Sequence, residues 1–217
     1  MIKISMFLFL VLVFPGLLVF QCVVRHTGKE YAVPVIWGFF AGCIVCVFHA
    51  FFIFSEKSFV FSYWRQYLRV LLHIEFFPLA VTGLIVFFVL NDSVAERLKA
   101  LFPFWAAFYA VYIPYDVLAG ATNFSLFELF AKPLLYAALL VLLKSFIPVL
   151  FSEILVEKPQ RNMQKIAVYA SFILGSLLFP PAVETCWFIG LPWMLWFIGF
   201  AAYVSAAVYV YKKTENI

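Results

Sequence analysis

Apolar residues run almost unbroken through seven stretches of the chain, 4–24, 33–54, 68–90, 101–121, 126–151, 165–184 and 187–211, with polar clusters confined largely to the short connections between them. Each stretch matches the about 20 residues that carry a helix across the hydrocarbon core of a bilayer. Membrane β-strands would instead alternate polar and apolar over about ten residues, whereas Leu135 to Leu143 is apolar at nearly every position. The pattern predicts an all-α, polytopic transmembrane helical bundle of seven spans. Six spans is the alternative, with 101–121 dipping in and out on one side. No connection is long enough to fold alone, so residues 1–217 are expected to form a single integral membrane domain whose backbone polar groups are satisfied inside helices. Lys3 ahead of the apolar Met6–Phe20 run imitates a secretion signal. No small-x-small cleavage site follows, and Val19-Phe20-Gln21-Cys22 has Gln21 where lipoprotein processing needs a small residue, so the first stretch is read as a retained helix.

Composition sharpens the class. With 66% hydrophobic and 12% charged residues and a net charge of +4, the chain is neither a water-soluble enzyme domain nor a disordered regulator. It has no basic patch for nucleic acid. The distribution of Lys and Arg sets orientation. With seven spans and the N-terminus outside, Arg25, Lys29, Arg97, Lys99, Lys158, Arg161, Lys165, Lys212 and Lys213 lie inside, and Lys3, Lys57, Arg65 and Arg69 outside. The six-span arrangement exchanges the first connections and gives the same nine-to-four ratio. Both put the 152–164 connection and the C-terminus in the cytoplasm, as expected for a bacterial cytoplasmic membrane. Tyr63, Trp64 and Tyr67 beside Arg65 and Arg69 predict a headgroup-level turn or short surface helix over 59–69, and Trp187, Trp193 and Trp196 mark the boundary of the last two spans.

Candidate chemistry comes from polar residues within the spans, where an ionised group costs at least about 2.5–3.5 kcal/mol on insertion scales. His49, His73, Glu75, Asp116, Glu128, Lys132, Lys144 and Glu184 are such residues. At about 1.5 Å per residue, all but Lys144 fall in the outer leaflet of the seven-span arrangement. His49, His73, Glu75 and Asp116 are too short to reach water from that depth and are expected to face the bundle interior, as a functional polar cavity or as a self-satisfied network. Glu128, Lys132 and Glu184 extend that ligand- or proton-binding set. Their alternative is an interfacial role, with side chains snorkelling to headgroups and Glu128 pairing with Lys132 one turn on. Pro114 and Pro133 flank Asp116 and Lys132 and free carbonyls that can line a cavity. Lys144, toward the cytoplasmic end of its helix, reads as a snorkelling anchor.

Cys43-Ile44-Val45-Cys46 with His49 one turn on invites thiol redox chemistry or a metal, but the pair sits near mid-span, where a thiolate is disfavoured and soluble thiols have no access, so packing is the expected role. His49 and His73 at matched depth resemble a haem or metal pair. Hydrogen bonding to Glu75 or to carbonyls explains them as well. Accordingly no metal and no cofactor is assigned. Gly38-x-x-x-Gly42, and Ala202 with Ala206, allow close helix approach, expected within the molecule more than as a homodimer seam. The chain lacks phosphate loops, H-E-x-x-H and G-x-S-x-G. In size and hydropathy it is similar to the substrate-binding membrane components of energy-coupling-factor vitamin transporters. That likeness is one of size alone, since their first-helix Ala-x-x-x-Ala is absent from 4–24. The reading that follows is a small-solute or proton-coupled transporter, or a solute-binding membrane subunit, with an outward-facing polar cavity. The alternatives are a membrane enzyme on lipid-linked substrates, with a histidine as general base, and a non-catalytic subunit of a membrane complex. The expected partners are the lipid bilayer and a membrane protein or second copy.

Overall fold

A computed structural model describes residues 32–52, 62–72, 79–81, 83–84, 94–120, 126–155 and 162–215. Six helices are delimited there: α1 Ala32–Phe52, α2 Tyr63–Arg69, α3 Val94–Gly120, α4 Leu126–Leu155, α5 Met163–Ile189 and α6 Trp193–Glu215. No strand occurs among the described residues. The expected span 4–24 and most of 68–90 lie outside them. Three helical segments, Phe130–Leu155, Met163–Ile189 and Trp193–Lys213, are long and apolar enough to cross a membrane, and Ala32–Phe48 is a shorter apolar one. The protein is therefore an integral membrane protein. Ile44, Phe51, Met194, Leu195 and Ile198 are all at least 65% exposed, a surface that only hydrocarbon or another apolar partner covers favourably.

The expected boundaries shift in informative ways. α2 falls inside the surface element expected over 59–69, with Tyr63, Trp64 and Tyr67 in mutual ring contact and Trp64 exposed. α3 begins seven residues before 101, because Glu96, Arg97 and Lys99 add a polar turn that apolar counting leaves out. The sixth stretch extends past 184 to Ile189. Asn162 caps the start of α5 by accepting from the Lys165 amide at 3.1 Å. Gly190 ends it at φ 72, with the Leu191 amide bonded to the Cys186 carbonyl, and Pro192 follows. Trp187 thus closes α5 and does not open α6.

The chain divides into two compact units, Met1–Pro133 and Leu134–Ile217. In the first, α1 packs on α3 with its small face. Gly38, Ala41, Gly42 and Cys46 are buried, while Trp37, Phe39, Phe40, Ile44 and Val47 point away. Small residues inside and large apolar ones outside is the order that lipid permits and water does not. A methyl placed on Gly38 would overlap the Phe104 carbonyl oxygen, and one on Gly42 would lie 3.0 Å from that of Phe108. Both helices advance by four residues between these contacts, so they run parallel. The G-x-x-x-G is an intramolecular seam. α3 is buried from Pro103 through Tyr109 without a gap, as a helix enclosed on all sides must be.

In the second unit, Ala138, Leu142 and Ala207 form a small core with Phe146 and Tyr203 against it. Pro180 has no amide hydrogen, so the Ser176 carbonyl loses its helical donor. The Tyr203 hydroxyl donates to that carbonyl at 2.9 Å while its ring stacks on Phe179, centroids 4.7 Å apart. Thr185 likewise donates to the Pro181 carbonyl. The 156–161 connection is flanked by an exposed Lys165–Glu153 pair at 3.2 Å.

Candidate functional site

The seam that brings α1 against α3 fixes the neighbourhood of Asp116. Stepping by four from Gly38 and Gly42 reaches Cys46, which is buried and close enough to Asp116 for a charge on one to be felt by the other. Tyr115 lies within the same range of both. Asp116 is 6% exposed at the C-terminal end of α3, and Lys132, 1% exposed, is in the second turn of α4. Their carboxylate and ammonium groups form an ion pair. Each charge alone would be costly at this burial, and the pairing offsets that cost.

Of the residues expected to form the polar set, the structure brings together Asp116 and Lys132. Lys132 is not an interfacial side chain reaching for headgroups, because its ammonium turns inward to Asp116. Glu128 lies one turn before it on α4, and the Glu128 side chain is outside the described residues. His49 occupies the α1 turn after Cys46, again with only its backbone described. His73 and Glu75 are outside the described residues. Glu184 belongs to the second unit, where it is fully buried one turn after the Pro180–Pro181 pair. Complete burial removes the snorkelling reading for Glu184, since α5 continues five residues beyond it. Lys144 is exposed, consistent with an anchor.

Sequence reasoning assigned Cys46 to packing alone and passed over Tyr115. The available signal was the four-residue repeat Gly38, Gly42, Cys46, which places the thiol on the glycine seam. Tyr109 and Tyr112, both at most 1% exposed, add two phenol groups to the α3 interior N-terminal to Asp116. Among the described residues no cluster of three or more His, Cys, Asp or Glu side chains is placed to hold a metal. No family of known proteins, curated protein or solved structure matches the chain.

Proposed function

We propose that the protein is a multi-pass transporter, or the solute-binding subunit of one, in a bacterial cytoplasmic membrane, working through a polar site centred on Asp116 and Lys132. The observation that carries this reading is the ion pair itself. Apolar side chains would hold α3 to α4 at no desolvation cost, and replacing buried pairs by them is often neutral or stabilising. Ionisable groups within a membrane bundle are characteristic of ion, proton and solute pathways. Pro114 and Pro133 beside the pair weaken both helices there, as a site that must open requires. His49, His73, Glu75, Glu128 and Glu184 complete the proposed ligand- or proton-binding set.

A seven-span topology is supported by α3. An unbroken 27-residue helix is about 40 Å long, more than the about 30 Å hydrocarbon core, and too long for a segment that dips in and returns. Its parallel alignment with α1 agrees with one intervening crossing at 68–90. The test is solute and proton flux in proteoliposomes, comparing wild type with Glu75→Gln and with Asp116→Leu/Lys132→Met. Loss of flux in folded variants is expected. Wild-type flux in both would remove the reading.

A further inference from the structure

We propose that α2 docks the headgroup of an anionic phospholipid, with Arg65 on the lipid phosphate and an apolar stripe beside it among the acyl chains. The proposal does not depend on what the protein transports. The chain stays helical beyond α2, in a wider turn through Leu72, and Trp64, Leu68 and Leu72 recur every four residues along one side. They are 70%, 49% and 47% exposed. Val70 lies two residues from both leucines, roughly half a turn round the helix, and is fully buried. One side of α2 therefore faces the protein, and the Trp64–Leu68–Leu72 side faces away from it. Seven residues make about 10 Å of helix, too short to cross the about 30 Å hydrocarbon core. The stripe accordingly lies along the membrane, as in helices that bury an apolar face at the boundary of headgroups and acyl chains. Trp64 meets both Tyr63 and Tyr67 edge to face, which steadies the indole at the level where aromatic side chains anchor a chain to headgroups.

Charge selects the lipid. α2 carries Arg65 and Arg69 and no acidic residue, and each arginine follows a stripe residue, Trp64 or Leu68, by one position. Arg69 is half-buried and has a contact within the protein, whereas Arg65 is exposed. Arg65 is thus the group that meets the phosphate, and a guanidinium suits phosphate because it presents two parallel donors. A zwitterionic lipid brings its own ammonium to the same place, where Arg65 repels it, and an anionic lipid brings none. At about 1 kcal/mol for a basic residue near an anionic surface, Arg65 alone favours an anionic headgroup about fivefold.

The test reads which lipid touches the stripe. Full-length protein in a cysteine-free background carries a bimane fluorophore on Leu68→Cys and is reconstituted in phosphatidylcholine vesicles. Brominated phosphatidylglycerol or brominated phosphatidylcholine is added in increasing mole fraction as quencher. Phosphatidylglycerol is expected to quench with about fivefold higher relative affinity, and raised salt to diminish the difference. Arg65→Gln, at an exposed position that leaves the fold intact, is expected to bring the two lipids within about twofold, and Arg65→Lys to keep most of the preference. Equal quenching by the two lipids in wild type, or an undiminished preference in Arg65→Gln, would overturn the proposal. Quenching by neither lipid, as when a second copy of the chain covers the stripe, would overturn it too.

Discussion

Removing one member of the Asp116–Lys132 pair should cost far more than removing both. The group left behind is a buried charge that has lost its partner in the pair, and losses of about 3–5 kcal/mol are known for buried pairs broken in this way. Asp116 is 6% and Lys132 1% exposed, so water does not take the missing group's place in Asp116→Leu or in Lys132→Met. The double variant removes both charges of the pair and should come closer to wild-type stability than either single variant. Thermal or SDS unfolding of the purified variants at pH 7 reads all three. Single-variant losses under about 1 kcal/mol, or a double variant that loses as much as the two singles together, would refute the burial argument.

Three further outcomes follow from the packing. Gly38→Ala, which drives a methyl into the Phe104 carbonyl, should destabilise by about 1–3 kcal/mol and by more than Gly42→Ala, while Gly175→Ala, with nothing within 4 Å of the new methyl, should be harmless or mildly stabilising in the same unfolding assay. Tyr203→Phe should lose about 1 kcal/mol by abandoning the Ser176 carbonyl; in a Pro180→Ala background, where the helix supplies that donor, the loss should vanish, and an equal loss in both backgrounds would contradict the capping role. Accessibility reporters in a cysteine-free background at position 57 should be labelled from outside and at position 99 only from inside; the reverse pattern would restore the six-span arrangement.

The helical class, α1, the surface element α2 and the intramolecular use of Gly38 and Gly42 were legible in the chain, because bilayer thickness and backbone hydrogen bonding leave few options and because glycine at i and i+4 has one dominant use. The partner of that face was not. Nothing in the local pattern distinguishes Phe104 and Phe108 from any other pair of residues four apart. Depth counting put Asp116 and Lys132 at one level, but it displayed only Glu128 as a neighbour of Lys132, since proximity along a helix is the only proximity a sequence displays. For Glu184, counting apolar residues ended α5 too early. Cys186 and Trp187 continue the helix, and the stop signals, Gly190 and Pro192, lie farther on.

The glycine seam also orders events during synthesis. Gly38 and Gly42 meet carbonyls sixty-six positions later, at Phe104 and Phe108. At about 5–20 residues per second, α1 is complete about 3–13 s before its counterpart is made. Until then the glycine face lacks the Phe104 and Phe108 carbonyls it rests on, and a nascent chain arrested before α3 would display that face to any other helix able to lie close against it.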